Sequence, residues 1–437
     1  MGDHLLSYQE AAARVASFAT ERIQTRPTTE RVELAYAAGR VLAKPLLADA
    51  DQPPFSRSTR DGYACRAAEA AHHGQLRLTG STHAGQPPAD PLPPGEAWEI
   101  MTGAPIPEGA DAVAMLEHVE VVDGHIRLLK ERKLKSGENI VAQGAQAQAG
   151  EELLPVGTIL GPAQVALAAA CGAAILHVYI RPRVAILTTG DELVPVQTTP
   201  GPGQIRNSNA PMLAALVASA GGDPWVFPAI ADTPAALSAA IKHASSPAAQ
   251  ADLLLLSGGV SAGKFDLVEP ALAKAGATFF FTGAHIQPGK PVVFGELQHC
   301  SNEMLKGFGD LLRGSIQATA DSPLPFFGLP GNPISSAVTF LLFVAPLMAA
   351  LAGCRELGPH FVVARLTESV PSKNGITRFL PALCDANVPM GSLPEVKTVL
   401  TNGSGDLAAL GRCNCFLMLP EETPSPEVGD LVRILPL

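Results

Sequence analysis

LLLLSGGVSAGKFDLV, residues 253–268, sets an uninterrupted apolar run directly against glycines, hydroxyls, a lysine and an aspartate. A strand buried on both faces of a parallel sheet reads as continuous aliphatics rather than as alternation, and four leucines bounded by small residues fit that pattern. Three further runs share the design: VAILTT (184–189), WVFPAIA (225–231) and FFGLPG (326–331). Between them lie helix-like segments, APMLAALVASAG (210–221), PAALSAAIKHA (234–244) and LVEPALAKAG (267–276). This alternation predicts βαβ units, and so a doubly wound, mostly parallel sheet domain over 181–353.

Working outward, residues 51–147 are rich in Pro and Gly, with short broken apolar runs such as WEIMTG, DAVAML and HIRLL. They predict a small β-rich domain with many turns. Its flanks, 1–50 and 148–180, read as helix (ERVELAYAAGRVLA, 30–43) and as turn, helix and strand (GTILGPAQVALAAACGAAILHVYI, 157–180). Packed together, they would form a helical linking domain into which 51–147 is inserted. Ser7, with Glu10 three residues on, opens a helix at the N-terminus. After Cys354 short strands follow one another (FVVARL, ITRFLPALC, EVKTVLT, NCFLMLP, LVRILPL), which predicts a C-terminal β-barrel domain over 354–437. The whole reads as a multidomain α/β protein. Residues 297–325 break the rhythm between two apolar strands and read as a surface excursion.

Composition excludes several classes. A net charge of −10 repels nucleic-acid backbones and anionic lipid, so neither nucleic acid nor membrane is an expected partner. Charged residues make up only 16%, which leaves room for a surface covered by a second subunit. Seven scattered cysteines without a C-x-x-C predict neither a disulfide framework nor a zinc site. Residues 337–353 are apolar but short for a span and carry Pro346, so a core helix is expected, and the N-terminus lacks a signal-peptide pattern. The expected compartment is the cytoplasm.

Ligands of open parallel sheets bind beyond the carboxyl ends of the strands, where loops and helix N-termini converge. Those ends here present Thr189, Gly190, Asp191 and Glu192; Asp232; Ser257, Gly258, Gly259, Ser261 and Asp266; and Pro330, Gly331 and Asn332. Glycines and hydroxyls suit phosphate, whereas carboxylates repel it unless a cation such as Mg²⁺ lies between. Asn332–Pro333 is also a favourable N-cap and N1 pair. Gly258 to Lys264 fits G-x-x-x-x-G-K, but Phe265 follows where a P-loop requires a hydroxyl.

STRDGYA (58–64), IMTGAPIPEGADAV (100–113), TGDEL (189–193), SGGVSAGKFD (257–266), PGKP (288–291) and GLPGNPISS (328–336), in this order, resemble the molybdopterin molybdenumtransferase family, to which the E domain of gephyrin belongs. The resemblance implies a Mg²⁺-dependent transferase that converts adenylylated molybdopterin and molybdate into molybdenum cofactor and AMP. It implies a homodimer with a site shared between subunits. Asp61, Glu192, Asp232 and Asp266 would then be catalytic, with Asp232 and Asp266 organising the metal, and Lys290 and Thr102 would contact anions. Two departures stand out: Gln146 where many relatives carry an acid, and Gln287 where lysine commonly opens K-P-G-K-P. The alternatives are a molybdopterin adenylyltransferase, which shares the sheet motifs but lacks the insertion and the barrel, and a gephyrin-like dimeric scaffold.

Overall fold

The computed structural model describes residues 5–24, 28–72, 74–129, 132–259, 267–298, 323–371, 373, 375–385, 387–388, 391–422 and 424–437. Ser261, Lys264, Asp266 and most of the excursion at 297–325 lie outside them.

The central sheet consists of β1 (Arg183–Thr188), β2 (Asp223–Val226), β3 (Leu253–Ser257), β4 (Thr278–Phe281), β5 (Val293–Leu297) and β6 (Leu324–Leu329), in the order β2-β1-β3-β6-β5-β4. The pairs β1–β2, β1–β3 and β3–β6 are parallel, while β5 joins β6 and β4 antiparallel. Every residue of β3 is buried, as its unbroken leucines require. The 225–231 strand is shorter than its sequence suggests. Pro228 lacks the N–H needed for pairing, so the chain leaves the sheet after Val226 and returns at Ile230, which bridges to Thr189.

Helices α1 (Tyr8–Gln24), α2 (Asn209–Ser219), α3 (Pro234–Ala244), α4 (Val268–Lys274) and α5 (Pro333–Leu351) cover the sheet. Ser7 and Glu10 form the expected capping box: Ser7 N–H donates to Glu10 Oε2 at 2.8 Å, and Glu10 N–H donates to Ser7 Oγ at 3.2 Å. Tyr8, Ala11, Val15 and Ala19 share one apolar cluster with Val184, Leu253, Phe294 and Phe343, so α1 packs on the sheet rather than on the 148–180 flank. By length and composition α5 could cross a membrane, but 78% of its most apolar window is buried, which makes it the core helix of this domain.

The flank at 30–43 corrects the sequence reading. It is no helix: Thr29–Glu33 is a strand paired antiparallel with Ile175–Tyr179, followed by a single 3₁₀ turn at Leu34–Tyr36. Its helix-favouring residues are overridden by this long-range pairing, and Gly39, at φ +74°, ends any helical run. The inserted region carries a six-stranded sheet that includes Gly62–Cys65, Glu96–Ile100 and Ala112–Met115. In the C-terminal region five strands close a barrel, because Thr377–Asp385 pairs with both Glu395–Thr398 and Cys415–Leu419. A sixth short strand, Ile286–Gln287, leaves the central domain to pair with Thr377–Arg378 and ties the two domains together.

Candidate active site

A cleft of about 1100 Å³ opens at the carboxyl edge of the sheet. Thr189, Gly190, Glu192, Asp232, Ser257, Gly258, Gly259, Lys290, Pro330, Gly331 and Asn332 all line it. The convergence read from four strand ends is therefore a convergence in space.

Local geometry explains why these residue types stand there. Gly258 has φ +97°, and a Cβ on it would meet the Thr189 carbonyl oxygen at 2.5 Å. Only glycine lets the chain turn so tightly against the neighbouring strand end. Thr189 is buried, and its hydroxyl donates to the Asp232 carboxylate. Asp232 N–H in turn donates to Asp191 Oδ1 at 3.0 Å. Asp191, expected to touch ligand, is thus absent from the cleft lining and holds the Asp232 loop instead.

Asn332 takes its expected N-cap position, but its side chain turns elsewhere. It occupies the N-cap of α5 with Pro333 at N1, but its side chain makes no capping bond. Its Nδ2 donates to Ser404 Oγ at 2.8 Å, and Ser404 carbonyl oxygen accepts from Ile334 N–H at 3.1 Å. The barrel loop therefore supplies the acceptor that the helix end needs.

The barrel forms the opposite wall of the cleft, through Lys373, Ile376, Arg378, Phe379 and Ser404. Sequence reasoning missed these residues, because nothing in a run of short strands marks which turn will face another domain. It also missed Asn207, just ahead of α2, and Asn209, the first residue of α2, which both line the cleft. Their signal was present: two asparagines interrupt small and apolar residues at a helix start, where such side chains cap.

Asp61 and Thr102 meet each other but do not line this cleft. Thr102 donates to Asp61 Oδ1 twice, from its backbone N–H at 2.6 Å and from its hydroxyl at 2.8 Å. These two bonds, the backbone one foremost, hold the exposed Asp61 carboxyl below the usual carboxylate range. Among the described residues no cluster of three His, Cys, Asp or Glu side chains could hold a metal.

A parallel-sheet crevice floored by glycine-rich strand ends and walled by a second domain defines the class: a multidomain α/β protein with a sheet-edge ligand site. Three family profiles match consecutive parts of the chain: MoeA N-terminal region (domain I and II) over 6–172, probable molybdopterin binding domain over 185–350, and MoeA C-terminal region (domain IV) over 363–437. A molybdopterin molybdenumtransferase of Bacillus subtilis is 35% identical, covering 98% of this chain and 93% of its own length. One from Nostoc is 34% identical over 95% of this chain and 90% of its own. The crystal structure of a molybdopterin biosynthesis MoeA protein from Pyrococcus horikoshii superposes with a TM-score of 0.77 at 28% identity, covering 99% of this chain and 100% of that one. The chain belongs to the molybdopterin molybdenumtransferase family.

Proposed function

We propose that this chain inserts molybdenum from molybdate into adenylylated molybdopterin, releasing AMP, in the last step of molybdenum cofactor biosynthesis. The observation that carries this reading is the two-domain cleft. Its volume suits a dinucleotide-sized ligand, and its walls combine an apolar side with convergent polar groups. Glycine loops and buried hydroxyls favour phosphate, and the cations Lys290, Lys373 and Arg378 favour an oxyanion such as molybdate.

Mg²⁺ would be held by Asp232 and Asp266, whose hard oxygens suit it, and when bound it would offset negative charge on phosphate oxygens. The chain's own groups prepare that site. Thr189 and Asp191 fix the Asp232 loop, and Glu192 lines the cleft. Asp61 and Thr102, which do not line the cleft of their own chain, complete the site if they are contributed by the second subunit of a homodimer.

Asp232→Asn keeps shape and removes charge, so Mg²⁺-dependent AMP release from adenylylated molybdopterin with molybdate should fall at least about tenfold, ~1.4 kcal/mol in the barrier. ATP consumption by the wild-type protein would instead identify an adenylyltransferase. Turnover of neither substrate would identify a scaffold.

A further inference from the structure

Three adjacent strands of the central sheet, β1, β3 and β6, end side by side under the cleft, and one short segment touches all three ends. Asn207, buried, donates from Nδ2 to Thr188 Oγ1 at 2.8 Å, at the end of β1. Its Oδ1 accepts from Ala210 N–H at 3.2 Å, which caps α2. Asn209 donates from Nδ2 to Ser257 Oγ at 2.9 Å, at the end of β3, and to the Gly331 carbonyl oxygen at 2.6 Å, just beyond β6.

Asn209 Oδ1, by contrast, is buried and has no hydrogen-bond partner. An orphaned buried acceptor is unfavourable, and turning the amide over would set oxygen against the Gly331 carbonyl, itself an acceptor only. The amide orientation is therefore dictated by its two donor bonds, and the fold tolerates a lone oxygen to keep them. These bonds flank the hydrogen bond from Gly258 N–H to Leu329 O, 3.3 Å long, which is the direct backbone link between the two glycine loops.

We propose that Asn207-Ser208-Asn209 is a staple that sets the spacing of the three strand ends, with Asn209 as the positioning residue for the nucleotide phosphate of the ligand. The ligand part of this inference rests on the function proposed above. The staple itself rests on the hydrogen bonds alone. Asn209 acts through Ser257 and Gly331, whose loops line the cleft, and not by touching the reacting atoms.

The test compares Asn209→Ala and the isosteric Asn209→Asp with wild type by thermal melting, by amide hydrogen exchange at Gly258, and by AMP binding. Melting of Asn209→Ala should stay close to wild type, since the Asn207 cap and the sheet remain intact, whereas Asn209→Asp should melt lower because its carboxylate faces the Gly331 carbonyl. Gly258 exchange should accelerate at least about tenfold as the two loops separate. AMP affinity should fall by a similar factor in both variants. If Asn209→Ala fails to fold, Asn209→Asp, which keeps the volume but sets a carboxylate against the Gly331 carbonyl, decides the matter. Unchanged Gly258 exchange in a folded variant overturns the staple. Faster exchange with undiminished AMP affinity overturns its role toward the ligand. A wild-type protein that binds no AMP refutes the proposed function, and the staple is then judged on exchange alone.

Discussion

Asp61, which does not line the cleft of its own chain, has its carboxyl held low by two hydrogen bonds from Thr102. With its folded pKa depressed, the bonded carboxylate stabilises the fold fully above the ordinary carboxyl pKa of about 3.9, and that contribution fades as pH falls through the lower folded value. Thr102→Val removes the hydroxyl donor and leaves the stronger backbone donor. The Asp61 pKa, followed by carboxyl NMR titration, should rise and yet stay below the ordinary value, so that the fading begins at higher pH. A titration curve identical to wild type would show that the hydroxyl bond contributes nothing. Gly258 poses a steric question instead. Gly258→Ala places a methyl against the Thr189 carbonyl at a positive φ, and denaturant unfolding should show a loss of roughly 1–3 kcal/mol. Equal stability would mean that the loop relaxes freely.

At the scale of elements, β5 and β6 form an antiparallel pair in which Leu297 and Leu324 are register partners. The two ends of the excursion between them therefore sit side by side. Replacing 299–322 with a short turn should leave a soluble protein with unchanged melting. Aggregation of that variant would show that its leucines pack into the core. The same scale explains which elements were readable. Helices α2, α3 and α4 follow local pattern because each buries a face set by its own apolar residues, and β3 because its unbroken apolar run suits burial on both sides of the sheet. The segment 30–43 could not be read that way, because its conformation is set by a strand some 145 residues away. Even so, its flank pairing was foreseen in outline, since both flanks were expected to pack together.

For the whole molecule, the absence of Asp61 from the lining of its own chain's cleft leads to a complementation experiment. Chains carrying Asp61→Ala and chains carrying Asp232→Ala should each form inactive homodimers. After subunit exchange about half the dimers are mixed, each with one complete site, so activity should recover to roughly a quarter of wild type. Demonstrated exchange without recovery would place both aspartates in one chain's site. The barrel is the other whole-molecule feature. Its strand Thr377–Asp385 pairs with Ile286–Gln287, and its loop at Ser404 binds the head of α5, so the barrel is fastened to both sides of the cleft it walls.

The amino-acid sequence by itself determined the parallel-sheet domain, its glycine and carboxylate strand ends and the succession of domains. These follow from periodicity, turn chemistry and motif order, all of which act between near neighbours in the chain. Only the tertiary structure decided that Asp191 holds a loop, that Asn332 reaches the barrel, and that Lys373 and Arg378 face the strand ends. The direction of a polar side chain is chosen by whichever donor or acceptor lies within about 3 Å, and in this chain those partners come from other strands and another domain.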